Sequence, residues 1–136
     1  MVYFGIQLAP NDADQSDWLA GLCITDTTLL GGMTDGVYFE SLDGATSYSS
    51  VTEKDSSETQ TDSLADSADD TFMFLEFYFD GSSVYFYTDG TLSSTIHTTN
   101  IPDDEALAVS LAFLTGEAVA NTLSIRRWNV FAIGRT

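Results

Sequence analysis

Four basic residues, one histidine, one cysteine and two prolines are all that this chain of 136 residues carries of those types, and each scarcity excludes something. The single cysteine, Cys23, cannot form an internal disulfide, and its apolar surroundings read as those of a small buried hydrophobe. One histidine and one cysteine give no zinc-ligand pattern. His97 is also the only imidazole base available, and no serine or cysteine is placed with it and an orienting acid as a nucleophilic triad. It ends an edge-like strand among Thr98, Thr99 and Asn100 and reads as a solvated polar residue. No apolar run reaches the ~18–20 residues of a membrane span, and no basic-then-apolar leader is expected before the first strand. Against so few bases stand 21 acidic residues, for a net charge of −17. Such a field repels nucleic acid and anionic membrane faces and favours solubility and salt tolerance.

The few bases are unevenly placed. Lys54 is the only one before residue 126, whereas Arg126, Arg127 and Arg135 fall in the last eleven residues, which hold no acid. Either these arginines pair with the chain's own carboxylates, or the C-terminal strand docks on an acidic partner.

What the sequence has in quantity is period-two alternation and Asp-Gly. Asp35-Gly36-Val37-Tyr38-Phe39 runs on to Asp43-Gly44, and Asp80-Gly81-Ser82-Ser83-Val84-Tyr85-Phe86 runs on to Asp89-Gly90. Asp-Gly supplies the positive φ of tight hairpins, and Val, Tyr and Phe suit a pleated, half-buried surface. Val2, Phe4, Ile6 and Leu8 alternate with Tyr3, Gly5, Gln7 and Ala9, which predicts a strand that leaves no room for one before it. Strands are expected at 18–25, 37–41, 46–54, 58–64, 72–80, 84–88, 92–97 and 106–115, with a capped helical turn over 26–31. Residues 72–80 carry aromatics on both faces and predict a central strand. In residues 106–115, Ala106, Ala108, Ser110 and Ala112 form a flat face against which something packs closely. The last strand, 122–133, changes phase: Leu123 and Ile125 share one parity, Trp128 and Val130 the other, which predicts a β-bulge at Arg126-Arg127. The whole is read as one all-β domain, an antiparallel two-sheet sandwich.

Acidic strands raise the question of glycoside hydrolysis. Its two carboxyls lie ~5.5 Å apart for retention or ~6.5–9.5 Å for inversion. Glu76 and Asp80 share a strand face but stand roughly 13 Å apart, too far, and Tyr78 occupies the position between them. Glu40 could face Glu76 across a sheet, though nothing requires it. Calcium is harder to exclude, since Asp12, Asp14 and Asp17 crowd one polar loop, but that loop lacks the glycine and distal glutamate of an EF-hand. Exposed aromatics could stack on sugar rings. The candidates are Trp18, Tyr38, Tyr48, Tyr85 and Tyr87, of which Tyr85 and Tyr87 lie opposite Val84 and Phe86. If that face is open it is a sugar or protein contact surface; if a second sheet covers it, it is core.

The ordered set Phe4-Gly5-Ile6, Thr25-Asp26-Thr27-Thr28-Leu29-Leu30, Thr34 to Phe39, Lys54 to Thr59, Leu64-Ala65-Asp66, Phe77 to Gly81, Val84 to Gly90, Ile101 to Glu105 and Thr115 to Ala118 resembles a tailed-phage protein family with a concanavalin-A-like (laminin-G-like) jelly-roll sandwich. The resemblance implies a decoration or cement protein on the outer surface of a virion head. Its partners would be the major capsid protein or other head proteins, and copies of itself on the shell. It implies no enzyme, no catalytic residue and no cofactor. The expected contacts are Arg126, Arg127 and Trp128 together with Ala108, Ser110 and Ala112. Either a longer polypeptide or a neighbouring subunit would supply the strand that such sandwiches place first. The alternative is a carbohydrate-binding module that uses loop carboxylates and exposed tyrosines.

Overall fold

Because successive side chains of a strand point to opposite faces, Phe4, Ile6 and Leu8 of β1 (Val2–Pro10) turn together into the interior while Tyr3, Gly5 and Gln7 turn out. The same rule sorts the other nine strands. In the computed structural model, which describes residues 1–25, 28–42 and 44–134, these are β2 (Ser16–Cys23), β3 (Gly36–Ser41), β4 (Ser47–Lys54), β5 (Ser57–Asp66), β6 (Met73–Phe79), β7 (Val84–Thr88), β8 (Thr91–Leu92), β9 (Ala108–Thr115) and β10 (Leu123–Ala132). They form two five-stranded antiparallel sheets, sheet A in the order β10-β1-β6-β7-β8 and sheet B in the order β5-β4-β3-β2-β9. No helix occurs among the described residues. Part of the expected helical turn, Asp26 and Thr27, lies outside them, as do Asp43 of the first Asp-Gly turn and Arg135.

The inward faces meet in an aromatic core. Phe4 stacks on Phe77 with ring centroids 5.1 Å apart, and Phe86 meets Phe39 edge-on at 5.2 Å and Phe77 at 5.8 Å. Each fully buried ring of this kind contributes about 1.5–3 kcal/mol by leaving water. β6 is the central strand of sheet A, as its two aromatic faces predict. Turn chemistry matches too. Asp89 and Gly90 take φ of 49° and 80° between the paired Thr88 and Thr91, a two-residue hairpin turn. Asp55 and Ser56 make the same turn with φ of 52° and 61° and no glycine. The bulge is where the phase change puts it: Gln7 pairs with Arg127 and Leu8 with Ile125, so Arg126 is the extra residue.

Three expectations fail. The strand over 92–97 stops at Leu92, and His97 forms only an isolated bridge with Val84. His97 is not solvated but fully buried between the sheets. Its Nδ1 lies 3.1 Å from Thr52 Oγ1 and its Nε2 2.9 Å from Thr61 Oγ1. Thr52 spends its own proton on the Thr99 carbonyl, so it accepts from Nδ1–H and leaves Nε2 to accept from Thr61. Two threonine hydroxyls therefore satisfy a buried imidazole, which the sequence pattern of polar neighbours disguised as exposure. Trp18, Tyr38 and Tyr48 are likewise core rather than surface, and Trp18 packs on Tyr48 at 5.6 Å.

Candidate functional site

Both outer sheet faces carry carboxylates and tyrosines, and the strand register decides which side chains meet. On sheet A, Tyr3 pairs with Phe131 on one side and Tyr78 on the other, and Tyr78 pairs with Tyr85. This makes one transverse row, Phe131–Tyr3–Tyr78–Tyr85, with ring centroids 5.9 Å apart at Phe131–Tyr3 and 6.2 Å at Tyr78–Tyr85. The next row holds Asn129, Gly5, Glu76 and Tyr87, and the third Arg127, Gln7 and Phe74. Gly5 is the reason these rows interlock. A Cβ there would lie 2.6 Å from the Tyr3 hydroxyl and 3.3 Å from Phe74, so only glycine lets the Tyr3 ring fold across the sheet. Tyr3 then donates to Glu76 Oε1 at 2.5 Å, and burial and this carboxylate push its hydroxyl up to about 12. Arg127 sits over the Phe74 ring at 4.7 Å and Arg126 over Phe72 at 4.0 Å. Neither arginine pairs with a carboxylate among the described residues, so rings, not acids, hold them. No second sheet covers this face: Tyr3, Tyr78, Tyr85 and Tyr87 are all half-buried.

At the open end of the β6–β7 turn, Asp80 accepts from the backbone of Ser82 at 2.8 Å and Ser83 at 2.9 Å, and from the Tyr85 hydroxyl at 3.0 Å. The backbone donors hold its carboxyl down at about 2, well below the usual range. Asp80 is thus a turn-maker that also orients the Tyr85 ring.

Sheet B presents a different surface. Its outer rows are Ala112–Leu19–Glu40, Ser110–Gly21–Tyr38–Val51–Gln60 and Ala108–Cys23–Gly36–Glu53–Glu58. Leu19, Cys23, Met33, Tyr38 and Val51 form a second apolar cluster here, against which Ile24, Leu29, Leu30 and Ala112 pack. Of the flat face expected over 106–112, Ala112 packs against this cluster while Ala106 and Ala108 stay exposed. Tyr38 donates to Glu53 Oε2 at 2.7 Å. Burial raises Glu53 above the usual carboxylate range, and it raises the Cys23 thiol to about 12. Glu40 sits in a depression with Leu29, Met33, Glu53 and Glu58. Burial, then the charges of Glu58, Glu53 and Asp62, push its carboxyl up to about 7. Glu40 and Glu76, which the sequence allowed to face each other, stand on the outer faces of different sheets.

Asp12 and Asp14 share one end of the sandwich with Asp69 and Glu117, and the hydrogen bond with Asp14 raises Asp12 to about 6. Among the described residues no group of three or more His, Cys, Asp or Glu is arranged to hold a metal ion, these and Asp17 included.

The glycan candidates Tyr85 and Tyr87 thus lie on the ring face of sheet A, next to Arg127. Trp128 projects from the inward parity of β10, and Ala108, Ser110 and Ala112 belong to sheet B. Tyr3, Tyr78 and Phe131 are site residues that the sequence did not single out, and Glu76, weighed there only as one of a catalytic pair, joins them. Their outward parity was readable, but the register that aligns four rings was not.

No protein-family model and no curated protein matches the sequence. Solved structures do. A β-glucanase of Bacillus licheniformis aligns with a TM-score of 0.66 at 16% identity over 93% of this chain and 63% of the enzyme, so the chain spans under two thirds of that protein. A carbohydrate-binding module of Bacillus subtilis aligns at 0.63 and 7% identity, covering 96% of this chain and 74% of the module. A galectin of Caenorhabditis elegans aligns at 0.61 and 13% identity, covering 96% and 82%. At these identities the likeness shows the fold: an antiparallel two-sheet jelly-roll of the concanavalin-A-like kind. It also corrects the expectation of a phage head protein, because the neighbours are lectins, carbohydrate-binding modules and glycosidases rather than capsid proteins. The expected absence of enzyme activity is overturned with it, since glycoside hydrolases stand among those neighbours. Ordered aromatic strands with Asp-Gly turns describe this sandwich in general, and that is why they misdirected the reading.

Proposed function

We propose that this protein binds carbohydrate on the outer face of sheet A. The observation that carries the reading is the open row Phe131–Tyr3–Tyr78–Tyr85 beside Glu76 and Arg127. Rings laid across a sheet present apolar faces to the C–H faces of sugars, while a carboxylate acceptor and a guanidinium donor beside them bind hydroxyls through charge-assisted hydrogen bonds. The names of the structural neighbours, a carbohydrate-binding module and a β-glucanase, support the same ligand class. On a glycan array and by titration calorimetry, the protein is expected to bind at least one polysaccharide or oligosaccharide. Tyr78→Ala and Tyr85→Ala should each weaken that binding about fivefold, the equivalent of ~1 kcal/mol per ring. Absence of any glycan ligand, or unchanged affinity in both variants, would count against this face.

A second reading rests on Glu40. A carboxyl raised to about 7 beside other carboxylates suits a general acid that protonates a glycosidic oxygen. Release of reducing ends from a bound polysaccharide, abolished by Glu40→Gln with binding intact, is the outcome it requires. No release by the unsubstituted protein would remove it.

A further inference from the structure

Among the described residues, none after His97 is buried, although β9 and β10 are long and carry many apolar side chains. β9 ends sheet B and β10 ends sheet A, and Val109 and Val130 line one cleft of about 420 Å³ between them, so both edges lie on the same flank of the sandwich. The register explains what is exposed. Val109 and Leu111 pair with the inward Leu22 and Ala20, and Ile125 and Trp128 pair with the inward Leu8 and Ile6. These four side chains have core parity yet stay exposed, from 40% for Leu111 to 56% for Trp128. Among the described residues, eight of the twelve exposed large apolar side chains lie between residues 109 and 133, and the four of core parity are Val109, Leu111, Ile125 and Trp128. In addition, among the described residues β9 pairs only with β2 and β10 only with β1, which leaves two free hydrogen-bonding edges side by side. Exposed apolar edges of this length are recruitment surfaces for further strands.

We infer that this flank is the contact surface of a two-fold dimer of the chain. A second copy brings an equal apolar flank and two equal free edges, so one symmetric contact extends both sheets and closes both interiors at once. Charge selects the same place. Two bodies of net charge −17 repel over most of their surface. They repel least along β10, the one described strand that carries cations and no acid. Residual repulsion between the bodies means that salt strengthens the contact.

Sedimentation velocity from about 5 to 200 μM, in about 0.05 and 0.5 M NaCl, is expected to show a monomer–dimer equilibrium that tightens at least threefold in the higher salt. Trp128→Glu and Leu111→Glu should each weaken it tenfold or more. Hydrogen exchange on the unsubstituted protein guards against variants that fail to fold, because amides of β9 and β10 should gain protection as concentration rises. A monomer throughout the range overturns the inference. So does a dimer unaffected by both substitutions, or one whose added protection falls on other strands.

Discussion

Glu40 and His97 are withdrawn from water by the same sandwich, and their protons respond in opposite ways. Burial raises Glu40 from 4.5 to about 7 and lowers His97 from 6.5 to about 4. For Glu40 the folded state holds its proton more tightly than the unfolded chain. Its contribution to stability is complete below 4.5 and is lost as pH rises through about 7. His97 is neutral when folded, so its contribution is present above 6.5 and is lost as pH falls through about 4. Across most of the interval between, the two oppose each other and the stability profile of the unsubstituted protein flattens. Glu40→Gln removes one of them. Its melting temperature relative to the unsubstituted protein should be unchanged near pH 4.5 and higher by several degrees at pH 8, measured by differential scanning calorimetry. A difference that does not vary with pH would mean that Glu40 ionises freely on the folded surface. His97 also marks the limit of residue-level reading. Its partners Thr52 and Thr61 are distant in sequence, and nothing in the local string Thr98-Thr99-Asn100 reveals a tautomer fixed by two hydroxyls.

At the level of elements, strand identity and facing were legible because period-two alternation reports on one strand at a time. Phe4, Ile6 and Leu8 could be assigned inward without knowing their neighbours, and the displaced parity of Ile125 and Trp128 located the bulge at Arg126. Register was not legible, because it is a relation between strands. It is register that sets Tyr3 against Tyr78 and Phe131, and it is a glycine's missing Cβ that lets Tyr3 reach Glu76. The same device operates on sheet B. A Cβ on Gly21 would meet the Val37 carbonyl oxygen at 2.3 Å and Tyr38 Cα at 2.5 Å, backbone contacts that no rotamer relieves. Gly21→Ala should therefore force β2 away from β3 and lower the denaturation midpoint by the equivalent of roughly 2–3 kcal/mol. An alanine variant as stable as the unsubstituted protein in urea would show that the two strands have room to part.

For the whole molecule the dominant fact is charge. Of 21 acids against four bases, the ion pairs formed among the described residues are those of Lys54 with Asp103 and, at 4.0 Å, with Asp104. Arg126 and Arg127 are held over Phe72 and Phe74 instead. Carboxylates that mostly lack cationic partners repel one another more strongly in the compact state than in the expanded chain, so folding works against its own field. Screening relieves this, because at about 0.5 M salt the Debye length falls to roughly 4 Å, shorter than most separations between exposed acids. The melting temperature should rise by several degrees between about 0.01 and 0.5 M NaCl, on the scale of ~4 °C per kcal/mol for a domain of this size. Measured at low protein concentration, where the proposed dimer is dissociated, the rise reports the monomer's own repulsion. Its persistence in Trp128→Glu separates that effect from association. A melting temperature indifferent to salt in both proteins would mean that the carboxylates stand far enough apart for their mutual repulsion to be negligible.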